Sequence, residues 1–546
     1  MKKIKLNQRL VFVLIISMLT GYRLFRPGYY SMQDDMHIFR LQQFSQCIQD
    51  GQIPCRHIAD GGFGYGYPLF NFYSPFFYFF SWLISQLGLS LINSTKISVI
   101  LVNLVGIVGI YLLSNKLFKN KYTSFLAVTL FAFFPYRATD IYVRGAFAEI
   151  MAISLIPLVA YFHHSYSNKA TKTKLILTTL LSICLFLSHN LIALLSLPII
   201  IFFILWPKFK IKPKKFIPLI LSLLSSSFFI IPALLEKKYT TIDTMTQGYF
   251  DFRAHFTTLK QLFLDRSWGY GASLWGPVDD MSFQVGLPQW PLAIVSVLLY
   301  IKSKNKSKSK TILITGLAFL SIISLFMTHA RSTFIWLSIP FLKFFQFPWR
   351  FLSIATFSIP LLATTIINYL KPSLQKIIAP LLIITTIFLN INYFKEDIYF
   401  PKLTDENKLT PSEVLRQSGA GLKDYWPNFG QNFPTTFAPK NPITQFDDTQ
   451  IISYQKTSNN LTTAVNVIQT SDTLTLPLVY FPGWQLTIDN LPTEIIIEPD
   501  LGLIQTPPLN QGRHTIEAQL KSTTIQKISN IISLLAISTL LILVIP

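Results

Sequence analysis

Apolar residues run along this chain in long blocks separated by short polar stretches, and the blocks are helix-length rather than strand-length. A membrane-crossing helix needs about 20 apolar residues, with a range of about 17–25. Twelve stretches are read as spans: 9–25, 95–114, 122–138, 146–164, 173–189, 190–206, 216–236, 287–302, 311–328, 350–370, 375–394 and 525–545. A further block at 68–88, PLFNFYSPFFYFFSWLISQLG, is dominated by Phe, Tyr and Trp, residues that favour the membrane interface. Beyond 394 the long blocks stop. Residues 400–448 are rich in Pro, Asn, Gly and Asp and predict irregular chain with one short helix near 411–417. From 449 the pattern changes to short β-type runs split by Pro, Gly, Asn and Asp, among them TQIISYQ, LTTAVNVIQT, TLTLPLVY, WQLTID and RHTIEAQLK. These predict a small antiparallel β-sandwich tied to the last span, with Trp484 of YFPGW filling its core.

Composition agrees with the blocks. The chain is 51% hydrophobic and 13% charged, against about 25% charged residues in soluble proteins. The net charge of +21 does not point to nucleic acid, because the lysines cluster in short loops between apolar blocks: MKKIK at the start, KLFKNK, SNKATKTK, PKFKIKPKK and KSKNKSKSK. Short basic loops mark the cytoplasmic side of a membrane. If 68–88 crossed, KLFKNK and most later basic loops would lie outside. If it does not, every basic loop lies inside, and the acidic segment 395–525, with nine Lys/Arg and fourteen Asp/Glu, lies outside. The block is therefore expected as one or two helices in the outer membrane surface. The expected organisation is a transmembrane domain over 1–394 with an outer loop at 26–67, an extracytoplasmic domain over 395–525 that is β-rich from 449, and a final helix over 525–546. Both termini are cytoplasmic in this reading of a multi-pass cell-membrane protein. The basic start and apolar core of the N-terminus look like a signal peptide, but no small-residue cleavage site follows, so an uncleaved anchor is expected. Cys184 reads as a small apolar filler. Cys47 and Cys55 share the first outer loop, and their eight-residue spacing leaves both a disulfide and two free thiols open.

Candidate chemistry gathers at the outer ends of the blocks. The stretch YYSMQDDMHIFRL follows the first span, and Asp34 and Asp35 lie about eight residues beyond its end. In a helical turn Asp34 and His37 would share a face. The same loop continues as GGFGYGYPLFNFYSP, in which Tyr65 and Tyr67 belong to an aromatic wall of the kind that sugars and prenyl chains use. Other outer ends carry Arg137, Asp140, Arg144 and Glu149 around ATDIYVRGAFAE, then His189 and Asn190, then Arg350 in QFPWRF. A carboxylate beside an acceptor hydroxyl can act as general base. Two carboxylates can instead hold a divalent cation, Mg or Mn, by oxygen ligation. Arginine fits a phosphate leaving group through its planar donors. The plainer roles stay open too: the aspartates as helix caps, His37 as a local hydrogen-bonding group, and the arginines reaching to lipid headgroups.

The order of an anchor span, a DD-x-H outer loop, GYGYPLF-N-FYSP, an interfacial helix and a span resembles the start of GT-C type membrane glycosyltransferases. In particular the chain is similar to bacterial membrane proteins labelled 6-pyruvoyl-tetrahydropterin synthase-related, whose later motifs YVRGAFAE, SHNLIALL and QFPWRFL resemble. The ending YFPGW…GRHTIEAQL…span resembles YfhO-like members of the wider superfamily. No pterin chemistry follows from the label, because His37 and His57 fall on the outer side. The resemblance implies a GT-C-like fold and transfer of a sugar from a polyprenyl-phosphate donor to an acceptor on the outer face, within membrane lipid, in cell-envelope glycan or glycolipid assembly. It implies a catalytic acid in the first outer loop, at Asp34 or Asp35, with substrate-binding roles for His37, Arg144, Glu149, His189, Asn190, Arg350, Tyr65 and Tyr67. Some such enzymes need a metal and some do not. Asp34 and Asp35 are the candidate ligands, and Asp140, Glu149 and the pair Asp279–Asp280 are candidates for a second acidic group. The competing readings are a lipid or glycan flippase and a non-catalytic envelope assembly protein.

Overall fold

The structure, a computed structural model, describes residues 8–545 apart from 277–278, 305, 420, 446–448 and 469–471, and only the backbone of 422 and 423. The basic MKKIK start lies outside the described residues. Every stretch read as a span contains helix, but the helices differ in length. Among the described residues seven are long and apolar enough to cross a membrane: Gln8–Phe25, Leu91–Phe118, Phe147–Asn168, Lys308–Thr328, Pro348–Tyr369, Pro372–Tyr393 and Thr524–Val544. Pro213–Ser225 and Ser227–Leu235 would make one more if taken together, bent by 60° at Ser226.

The shorter ones are cut by identifiable residues. The stretch 122–138 is helical over Lys121–Ala132 and then breaks, because Pro135 holds Phe134 in an extended conformation (φ −70°, ψ 124°) before a new turn starts. The turn at His189 ends Lys172–Phe186 and starts Asn190–Leu205, with the His189 side chain accepting from the backbone N–H of Ile192. The block 68–88 forms two short helices, Leu69–Phe72 and Phe76–Ser85, parted before Pro75. Ten residues of helix rise about 15 Å, half the thickness of a hydrocarbon core. The second helix packs through a Ser81–Ser98 hydrogen bond of 2.8 Å on the long helix Leu91–Phe118.

The C-terminal region holds two antiparallel sheets. One has the order Gln450–Lys456, Asn460–Val467, Gly512–Leu520, Trp484–Ile488, Leu491–Thr493; the other has the order Ile443–Thr444, Leu474–Val479, Leu503–Gln505, Ile496–Ile497. Leu461, Val465, Trp484, Leu486 and Ile516 from the first and Leu474, Leu476, Leu478 and Ile504 from the second share one buried core. The hairpin Trp484–Thr493 turns at Asp489 and Asn490, both at positive φ (51° and 65°), as a two-residue primed turn requires. Residues 401–442 are mostly irregular, with short helices Asp405–Lys408, Pro411–Gly419 and Leu422–Tyr425.

The β-region rests on the loop that follows the first helix. The Val479 N–H donates to the Tyr65 carbonyl at 3.1 Å, the Ala438 N–H to the Phe63 carbonyl at 2.8 Å, and the Ser458 N–H to Asp50 at 2.7 Å. A Cys47–Cys55 disulfide closes that loop. Behind it, Glu236 accepts from Asn71, Gln526 and Thr523, joining the loop, the bent helix pair and the last helix in one buried polar knot.

Candidate active site

The DD segment is fixed by backbone pairing rather than by a cap. Tyr29 and Tyr30 pair antiparallel with Phe400 and Tyr399. The Gln33 and Asp34 N–H groups then donate to the carbonyls of Val143 and Arg144, at 3.0 and 2.8 Å. The partner strand of backbone comes from a π-helical turn, Thr139–Arg144, that ends at Gly145 in the left-handed region (φ 68°). A side chain there would strike Met32 as well as strain the backbone. Asp34 is thus set beside Arg144 at the mouth of a cavity of about 480 Å³, which both residues line.

Of the residues named from sequence, Asp34, Arg144, Glu149, His189, Asn190 and Arg350 line this cavity. Arg144 Nη1 meets Asp140 Oδ1 at 2.5 Å and Glu149 Oε2 at 3.0 Å, and its guanidinium lies 4.5 Å from the Trp349 ring centre. Glu149 also accepts from the Tyr136 hydroxyl at 2.5 Å and faces Arg350 Nε at 3.5 Å. Arg350 donates through Nη1 to the Phe345 carbonyl and to Gln346, at 2.8 and 2.9 Å, while its buried Nε has no hydrogen-bond partner among the described residues. Asn190 accepts from Ser74 at 2.8 Å, tying the cavity wall to the link between the helices Leu69–Phe72 and Phe76–Ser85.

Four of the named residues do other work. Asp35 turns away from the cavity: its Oδ2 takes Lys408 Nζ at 2.5 Å and Arg416 Nη2 at 2.9 Å. His37 is buried behind the wall, stacked on Phe147 at 4.3 Å. Burial pushes its imidazole down to about 3, so it is neutral. Its Nε2–H then donates to the Gly145 carbonyl at 2.6 Å and Nδ1 accepts from the Tyr78 hydroxyl at 3.0 Å. Tyr65 and Tyr67 are buried under the β-region, Tyr67 bridging to Ile58 with its ring 6.4 Å from that of Trp426. The aromatic surface of the cavity comes instead from Phe72, Tyr73, Tyr249, Phe347, Trp349 and Tyr425.

No group of three or more His, Cys, Asp or Glu side chains that could hold a metal ion occurs among the described residues. Asp35 is held by Lys408 and Arg416, Asp140 and Glu149 are taken by Arg144, and Asp279 accepts from Gln261 and the Leu274 N–H. Among the described residues these carboxylates do not gather into a set that fits a divalent cation.

Two further charged residues of the cavity, Arg40 and Asp424, were given no role from sequence. Arg40 is only 7% exposed, lies 4.4 Å from the Tyr73 ring centre, and makes no ion pair among the described residues. Its place three residues after His37, on the same helix face, was the available signal. Asp424 enters from the short helix Leu422–Tyr425. Burial pushes its carboxyl up to about 6.

The pair Glu149–Arg144 is a structural as well as a cavity contact. Glu149→Gln keeps an acceptor for Tyr136 but removes the charge facing both arginines. It is expected to lower stability by about 1.5–3 kcal/mol, read as a fall in the unfolding midpoint of the purified protein.

Among solved structures the chain is similar to the Archaeoglobus fulgidus oligosaccharyltransferase in its apo form, with a TM-score of 0.45 and 12% identity over 71% of this chain and 56% of that one. It is also similar to the archaeal oligosaccharyltransferase AglB from Archaeoglobus fulgidus in complex with an inhibitory peptide and a dolichol-phosphate, with a TM-score of 0.34 and 10% identity over 71% and 55%. The chain thus spans little more than half the length of either. No curated protein matches it. A family model does: residues 70–396, more than half the chain, match the 6-pyruvoyl-tetrahydropterin synthase related domain of membrane proteins. That stretch contains the helices that carry Arg144, Glu149, His189 and Arg350, and the chain belongs to this membrane-protein family.

Proposed function

We propose that the protein is a membrane glycosyltransferase that moves a sugar from a polyprenyl-phosphate donor to an acceptor hydroxyl on the outer face of the cell membrane, in envelope glycan or glycolipid assembly. One observation carries this reading: an exposed carboxylate, Asp34, opens into the same aromatic-walled cavity as Arg144 and Arg350. In the step, Asp34 takes the proton of the acceptor hydroxyl as its oxygen attacks the anomeric carbon from the face opposite the phosphate. The bond from that carbon to the phosphate oxygen breaks, and the lipid phosphate leaves with the electron pair. Arg350, whose Nε makes no hydrogen bond among the described residues and lies 3.5 Å from Glu149, and Arg144 receive the developing charge. The aromatic wall suits the apolar lipid and the sugar faces. The deciding experiment is transfer by the purified full chain in nanodiscs, with single polyprenyl-phosphate hexoses as donors. Movement of lipid across the bilayer without a new glycosidic bond would identify a flippase instead.

The reading includes a topology. All twelve apolar stretches cross, as a GT-C-like domain under an extracytoplasmic β-sandwich, both termini face the cytoplasm, and residues 68–88 lie on the outer surface. Gln86→Cys, in a background with Cys184 replaced, should react with a membrane-impermeant maleimide added outside. Labelling only after the inner face is exposed would reverse the assignment.

A further inference from the structure

The second of the adjacent aspartates is held by cations of a segment that the proposed reaction does not use. After the short ladder at Tyr399–Phe400 the chain passes over the site as a strap of three short helices, Asp405–Lys408, Pro411–Gly419 and Leu422–Tyr425. One oxygen of Asp35 holds Lys408 of the first and Arg416 of the second, at 2.5 and 2.9 Å. Lys408 is only 5% exposed and its other carboxylate, Glu413, lies farther off at 3.7 Å, so loss of Asp35 would strip a buried cation of its nearest partner. Gln417 reinforces the clamp, donating to the Lys408 carbonyl at 2.7 Å and accepting from the Phe39 N–H at 3.3 Å. The third helix then delivers Asp424 and Tyr425 to the cavity lining. A β-carbon on Gly421 would lie 3.0 Å from Asp424 Oδ2 and 3.7 Å from Arg40 Nη2, so carboxylate and guanidinium flank one point of the wall. The rings beside them are Tyr73, under Arg40, and Tyr425, stacked on Phe72 at 5.7 Å.

A carboxylate that accepts from neighbouring hydroxyls, a planar guanidinium that donates to hydroxyl and ring oxygens, and flanking aromatic faces form a set suited to a polyhydroxylated ring. Resting on the glycosyltransferase reading, we propose that Asp424, Arg40 and Tyr425 form the acceptor end of the cavity, that the acceptor is a saccharide, and that Asp35 is a positioning residue which clamps the strap so that Asp424 reaches it. The charged and titratable groups facing Asp424 are Arg40, Asp34 and Arg350, with the phenols of Tyr67 and Tyr425. Its carboxyl, raised to about 6 by burial, loses charge as pH falls through that value. Acceptor binding should weaken below pH 6.

The test uses the full chain in nanodiscs, polyprenyl-phosphate hexose donors, and two acceptor probes: octyl glycosides of common hexoses and a Ser/Thr/Asn-containing peptide. Wild type should glycosylate a glycoside. Asp424→Asn should raise the acceptor KM by about tenfold or more, leave kcat within about threefold, and abolish the rise in KM below pH 6. Asp35→Asn should raise the same KM, and Asp35→Glu should restore it. The double variant Asp35→Asn/Asp424→Asn should be no worse than the poorer single, because both act on one contact. An unchanged glycoside KM in Asp424→Asn, transfer to the peptide alone, or independent effects of the two substitutions would overturn the proposal. Hydrogen exchange over 404–419 decides the clamp without any transfer: it should accelerate in Asp35→Asn, and unchanged protection would overturn that role. Failure of wild type to transfer to any acceptor would sink the glycosyltransferase reading, and the saccharide assignment with it. Slow transfer in Asp34→Asn with Asp424→Asn unaffected would sink only the inference.

Discussion

Asp34→Asn should slow transfer by about 10²–10⁴-fold, the usual cost of removing a general base. The amide keeps the size and the backbone bonds of Asp34, whose N–H donates to the Arg144 carbonyl. The fold and the cavity should therefore persist. Donor binding should persist too, because Arg144 and Arg350 are untouched, so the loss should fall on kcat with little change in donor KM. Asp35→Asn should behave differently, altering the acceptor KM through the strap. Transfer at the wild-type rate in Asp34→Asn would remove the base from the mechanism, and equal kcat losses in the two variants would deny the division of labour between neighbouring carboxylates.

Trp484→Ala should destabilise the β-region by about 3–5 kcal/mol, as truncation of a buried large aromatic does. Trp484 is 5% exposed in the core shared by the two sheets and lies edge-on to His57 at 5.4 Å. It therefore supports both the β-region and the outer loop beneath it. Thermal unfolding of the full chain should show an early transition in the variant. Limited proteolysis should cut first between 449 and 520. An unshifted midpoint would mean that the ring is dispensable to the packing.

Much of the architecture was legible because a bilayer imposes a coarse rule: apolar blocks of helix length are easy to count. What the blocks did not reveal was where prolines and turns shorten them, as Pro135 does to the helix Lys121–Ala132. The β-region was legible from its alternating runs, split by Pro, Gly, Asn and Asp. At the site, Arg144, Glu149, His189, Asn190 and Arg350 could be listed as polar groups at outer helix ends, and these do line one cavity. Tyr65 and Tyr67 could not be told from cavity aromatics, because the Gly-rich loop carrying them looks like a binding wall and becomes a floor for the β-region. Asp424 was out of reach for a different reason. Nothing local distinguishes it, and only tertiary folding brings residue 424 beside residue 40.

The ion pairs between the first loop and the strap also set a timetable for the newborn chain. Arg26 pairs with Glu396 across 370 residues, and Asp35 with Lys408 across 373. At about 5–20 residues per second of synthesis, Asp35 is made about 19–75 s before Lys408 exists. For that interval the first loop carries its carboxylates without the strap. These contacts therefore form late, and a ribosome that stalls before residue 396 releases a chain whose first loop lacks both sets of partners.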